Sequence, residues 1–265
     1  MCKTRLTLAA LALSLLTMAN AAHAEVNPEL WAVLKQSFFG NKNIEPADFM
    51  KLDGPKRAES GAQVPINLTI NKPQDAPDAI KKVYLFVDAN PIPLTATYYF
   101  TPLNGKVELA TRIRMEVDSY IHAVGETADG KLYITDVAIR AAGGCGGSVD
   151  GDETAIRAAS GKMKVHVDAP VKFGEPTPIT FLIKHPMYTG LQRDLVSGGY
   201  KPAFFMHKVA FTYNKKPVMH VDFGVGVAED PYMRFSYLPE GPGTLEVSAT
   251  DNEGKTFTHQ LEVNN

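Results

Sequence analysis

Thiols and imidazoles are the side chains best suited to covalent or metal chemistry near neutral pH, and this chain has few of either: two cysteines and seven histidines in 265 residues. Cys145 stands out by its setting, Gly143-Gly144-Cys145-Gly146-Gly147. Glycines on both sides remove every Cβ beside the sulfur, so the backbone can pass through a narrow channel. The thiolate is the reactive form, and an unperturbed thiol with a pKa near 8.5 is only a few per cent ionised at neutral pH. The arm holds no Lys, Arg or His, and Arg140 and Arg157 are the nearest cations in sequence. The spacing therefore predicts an accessible thiol that is activated elsewhere. Fully extended, the stretch from Arg140 to Cys145 spans about 17 Å. That is the reach of a tethered reactive group that visits other proteins.

Other constellations compete weakly. No Cys-x-x-Cys is present, which disfavours thioredoxin-like exchange. His122, His166, His185, His207, His220 and His259 show no metal-ligand spacing on a helix. His207 and His220 flank one hairpin and could face each other. Arg112 and Arg114 fall on the same side of one strand and read as a solvated face rather than an anion site. A metal-handling role would use Cys145 with His185 or Met187 as soft ligands. A cysteine enzyme would need a base and a pocket beside the thiol, which a glycine arm does not supply. No metal and no cofactor is expected, and the glycines could also be a plain linker with an incidental cysteine.

The first residues read as an export signal. Lys3 and Arg5 precede an apolar run from Leu6 to Met18, and Ala22-His23-Ala24 has the small-x-small form of a cleavage site. The run is shorter than the roughly 20 residues of a spanning helix, so no membrane anchor is expected. Cleavage after Ala24 places residues 25–265 in the periplasm and removes Cys2. One thiol then remains in an oxidising compartment, where cysteines usually pair. It must be free, modified or bonded to another molecule. The formal charge of −2, which becomes −4 with 25 basic and 29 acidic residues after cleavage, gives no basic footprint for nucleic acid.

The elements that must position the arm are strands. Pro28 to Phe39 suggests a short helix, with Asn27 as N-cap and Leu30, Val33 and Leu34 on the apolar face. From residue 64 the pattern is period two: Val64, Ile66, Leu68 and Ile70 alternate with Pro65, Asn67 and Thr69. Val83 to Val87, Leu94 to Phe100, Lys106 to Met115, Ser119 to Glu126 and Leu132 to Arg140 follow. Asn104-Gly105 and Asp129-Gly130 mark hairpin turns. Residues 148–161 have no apolar period and read as a linker. Strands resume with Met163 to Val167 and run to Val263. The expectation is an all-β chain of two β-sandwiches, residues 25–147 and 162–265, with a short N-terminal helix.

The motifs resemble a known family. Val83 to Pro93, then Phe100-Thr101-Pro102, Thr111 to Arg114 and Gly143 to Gly147 resemble the SoxY sulfur carrier. His185 to Asp194, Pro202 to Phe205 and Gly226 to Tyr232 resemble SoxZ, its partner subunit. The order is that of a fused SoxYZ-like protein, similar to a subgroup associated with quinoprotein dehydrogenases. The resemblance implies immunoglobulin-like halves and a non-catalytic carrier. It also implies that Cys145 holds thiosulfate-derived intermediates for periplasmic Sox-type enzymes, with an accessory role to a quinoprotein dehydrogenase system as the alternative. In the parent family the arm is the extreme C-terminus. Here the chain continues past Ser148, so the arm must work as a loop.

Overall fold

The computed structural model describes residues 26–141, 153–194 and 197–264. The strands are β1 (Ile44–Pro46), β2 (Met50–Asp53), β3 (Val64–Ile70), β4 (Ile80–Val87), β5 (Leu94–Phe100), β6 (Val107–Ile113), β7 (Ser119–Thr127) and β8 (Leu132–Ile139) in the first half. The second half carries β9 (Met163–Val167), β10 (Thr177–Ile183), β11 (Met206–Tyr213), β12 (Lys216–Phe223), β13 (Tyr232–Tyr237), β14 (Gly243–Asp251) and β15 (Thr256–Val263). Two α-helices are described, α1 (Glu29–Phe39) and α2 (Glu153–Ala159), with one 3-10 turn at Pro102–Asn104.

Period-two alternation does what it should where it is clearest: one side of the strand turns inward. Val64, Ile66, Leu68 and Ile70 are buried while Pro65 and Asn67 are exposed. Leu245, Val247 and Ala249 repeat the pattern in the second half. The apolar sides face one another across two layers. Phe211 of one sheet meets Phe181 and Phe235 of the other, edge to face, at 5.4 and 4.8 Å.

The all-β class, the two sandwich halves and the short N-terminal helix stand as expected. The halves are not independent, because their sheets run on from one into the other. One sheet runs β1-β8-β7-β4-β5-β12-β11-β14-β15 and the other β2-β3-β6-β13-β10-β9. Both cross from one half to the other, at β5–β12 and β6–β13. A strand ending at an unpaired edge leaves a row of backbone donors and acceptors open. Each half closes the other's edge, and one hydrophobic core extends through both. Gly224 permits the close approach: its N–H donates to the Thr95 carbonyl at 2.8 Å, and an added Cβ would sit 2.7 Å from the Leu94 oxygen.

Two local readings also change. The packed side of α1 is Trp31 and Phe39, with Phe38 also touching Phe86, while Val33 is exposed. These rings cover Phe86 and Tyr84 and build a small second core on the outer face of the long sheet. Glu153–Ala159, expected within a linker, is helical, with Glu153 and Arg157 paired one turn apart.

Candidate functional site: the root of the cysteine arm

Gly143, Gly144, Cys145, Gly146 and Gly147 lie outside the described residues. What the structure describes is how the chain is held on either side of them. On the upstream side, the segment after β8 is fastened to the loop before β3. The Arg140 N–H donates to the Lys56 carbonyl at 3.1 Å, and Ala58 N–H donates to the Arg140 carbonyl at 2.8 Å. The Ala141 N–H then donates to the Asp118 carboxylate at 2.8 Å. Ile139, just before, is fully buried. A core residue, a backbone bridge and a carboxylate thus fix the chain at Ile139, Arg140 and Ala141.

On the downstream side, α2 is clamped to the second half. The Arg157 guanidinium donates to both Glu253 oxygens at 2.9 and 3.0 Å and to Glu153 at 3.1 Å. It also lies 4.1 Å from the Phe204 ring centre. The helix holds no buried residue, so these contacts position it rather than an apolar face. Gly161 N–H then donates to the Lys184 carbonyl and leads into β9.

The other candidates separate clearly. His185 and Met187 do come together, but inside the core, both fully buried. The Met187 N–H donates to His185 Nδ1 at 3.3 Å, and the Met187 sulfur accepts from Met206 N–H at 3.2 Å. His185 Nε2 has no partner among the described residues, and burial pushes its imidazole down to about 4. A metal reaching this pair would have to enter a packed interior. Among the described residues no group of three His, Cys, Asp or Glu is placed to hold a metal ion. His207 and His220 do not face each other: β11 and β12 pair Lys208 with Asp222 and Ala210 with His220, and His220 stacks on Tyr99 at 4.1 Å.

The solvated face expected of Arg112 and Arg114 is not found. Arg114 is buried and donates to the carbonyls of Met187 at 2.7 Å and Pro186 at 3.1 Å, across the seam. Arg112 stacks over Tyr232 at 4.7 Å, again from the other half. Both arginines are seam residues. Sequence reasoning also missed the buried pair His122 and Asp88, 3.0 Å apart, with Trp31 of α1 stacked on the imidazole at 4.1 Å. No sequence spacing links these three, because β4, β7 and α1 meet only in the fold.

Comparison with known proteins agrees with this two-part plan. Residues 35–145 match the family described as Sulfur oxidation protein SoxY, and residues 163–262 match that described as Sulphur oxidation protein SoxZ. No curated protein matches the chain. Among solved structures, the sulfur carrier protein SoxY from Chlorobium limicola f thiosulfatophilum is 22% identical, covering 42% of this chain and 91% of that one with a TM-score of 0.35. A superoxide reductase (neelaredoxin) from Ignicoccus hospitalis is 19% identical over 43% of this chain and 87% of that one, with a TM-score of 0.29. The chain belongs to the SoxY and SoxZ sulfur oxidation families and carries the two in tandem in one polypeptide.

Proposed function

We propose that this protein is a periplasmic, non-catalytic carrier that holds sulfur-compound intermediates covalently on Cys145 and presents them to Sox-type enzymes. Gly143, Gly144, Gly146 and Gly147 form the arm around the thiol. The observation that carries the reading is that the SoxY match runs to residue 145 and so ends on the cysteine itself. The firm fastening of Arg140 and Ala141 supports it, since a tethered group needs a fixed root. Four residues beyond Ala141, the Cys145 Cα can stand no more than about 14 Å from the Ala141 Cα, with the sulfur one short side chain further. An enzyme acting on it must approach this end of the sandwich. Exposed Ile92, Val117 and Leu191 lie at this same end, a suitable rim for such a contact.

The chemistry assigns work to the partner. Joining the Cys145 thiolate to the outer sulfur of thiosulfate forms one S–S bond and releases two electrons. Those electrons pass to an acceptor in the partner enzyme, and the carrier keeps the thiosulfonate. A thiol without a neighbouring base suits this division, because a self-activated thiolate would be oxidised between visits.

The test is intact-mass measurement after incubation of the mature chain with thiosulfate and Sox-type enzymes. The wild-type chain gains the thiosulfonate mass, and Cys145→Ser gains nothing while melting at the same temperature. A wild-type chain that stays unmodified, or a Cys145→Ser chain that still loads, overturns the reading.

A further inference from the structure

Beside the arm root, on the outer face of the long sheet, lies an open cleft of about 770 Å³. Asn27 and Pro28 at the start of α1, Tyr120, Ala138, Lys56 and Arg140 line it. Two cations and no carboxylate form these walls. Neither side chain, Lys56 nor Arg140, makes an ion pair among the described residues.

Their proximity is built in by the main chain. The Arg140 N–H to Lys56 carbonyl bond, with Ala58 N–H to the Arg140 carbonyl, holds the two segments together whatever the rotamers do. An anion entering between two cations on one wall is attracted by both. The start of α1 adds to the field: the first N–H groups of a helix lack intrahelical partners and carry a partial positive charge. Asn27 Oδ1 satisfies the Glu29 N–H at 2.9 Å, which orders the helix start at the cleft edge. Of the carboxylates around it, Asp118 is engaged by the Ala141 N–H, Glu29 stands in the first turn of α1, and Asp136 lies two residues from Ala138 on the same side of β8. Arg presents a planar fork of donors that matches a tetrahedral oxyanion, and Lys adds a point charge.

We infer that this cleft binds a sulfur oxyanion, either free, such as thiosulfate or sulfate, or as the sulfonate end of a group attached to Cys145. The free-anion form stands by itself, and the attached form rests on the carrier reading.

The test uses the full mature chain at low salt. Cys145→Ala, which cannot be loaded, is titrated with thiosulfate while the backbone amide shifts of Lys56 and Arg140 are followed by NMR. Saturable binding is expected, with a Kd on the order of 1 mM. The double variant Lys56→Gln, Arg140→Gln weakens it at least tenfold without changing the melting temperature, and chloride at equal ionic strength does not compete. Absence of saturable shifts, equal competition by chloride, or unchanged affinity in the double variant overturns the site.

The second arm identifies the source. Tetrathionate loads the wild-type thiol chemically: the thiolate attacks an inner sulfur, leaving thiosulfonate on Cys145 and releasing thiosulfate. If the carried sulfonate occupies the cleft, the loaded chain binds free thiosulfate at least tenfold more weakly than Cys145→Ala. If the two bind alike, the ligand is the free anion. Failure of the carrier reading would show as a Cys145→Ser chain that loads under enzyme turnover, and it leaves the Cys145→Ala titration intact.

Discussion

The two halves of this chain are joined in two places, and the joints are opposite in kind. At the seam, β5 pairs with β12 over five residue pairs, β6 meets β13, and Arg114 reaches from one half to two carbonyls of the other. Along the polypeptide, the joint is residues 142–152, five of them glycine. The seam is made of ladder hydrogen bonds and buried side chains, which can hold the halves together unaided. The polypeptide joint is thereby released from structural duty, and the sequence there is free to serve chemistry.

Breaking the seam should therefore have the largest effect. Arg114→Leu removes a buried cation and leaves the Met187 and Pro186 carbonyls without their donor, at a cost of about 3–5 kcal/mol in urea unfolding. A loss below about 1 kcal/mol would show that the seam does not depend on it.

Acid should loosen the second half next. The folded-state pKa of His185 is lowered by burial to about 4 from 6.5, so the unfolded chain binds more protons between those values. Stability contributed by the neutral imidazole is present above pH 6.5 and is lost as pH falls toward 4. The full loss is about 3 kcal/mol, and His185→Leu should flatten that part of the curve.

Cutting the polypeptide joint should do less still. A chain carrying a protease site between Ser148 and Asp150, once nicked, should elute at the size of the intact protein. It should fall into two fragments only in denaturant. Separation at micromolar concentration in native buffer would reverse the comparison. The smallest effect belongs to Cys145→Ser, expected to shift unfolding by less than about 0.5 kcal/mol while removing all covalent loading.

The strands were legible because alternation is a local property. In β3 and β14 it can be read directly, and every hydrophobic position falls inward. Partnership between strands is not local. In β5, Thr95 and Thr97 are as buried as Ala96 and Tyr98, because the strand lies mid-sheet with β4 and β12 on its two sides. Nothing in Leu94–Phe100 distinguishes a covered strand from an edge, so the seam could not be read. β1 and β2 span three and four residues, too few for a period to register.

The shorter α-helix escaped for a different reason. No residue of α2 is buried, so it has no apolar face to read, and Arg157 acts through Glu253, nearly a hundred residues away. The Glu153–Arg157 spacing of four was the available signal. The candidate residues divide the same way. Cys145 announced itself by composition, whereas Arg114 gave no sign that it would be buried, since its partners are carbonyls in a distant loop.

The shared sheets also set a schedule for folding. Phe100 pairs with Met219 and Ala96 with Phe223, so β5 must wait for a partner made roughly 120 residues later, and such non-local pairing slows folding. During synthesis the first half emerges with two open edges, β5 in one sheet and β6 in the other, both templates for wrong association. A separate second chain would have to find those edges by diffusion. Tethered through residues 142–152, it arrives at an effective concentration in the millimolar range. The segment that carries the thiol thus shortens the time during which the molecule is incomplete.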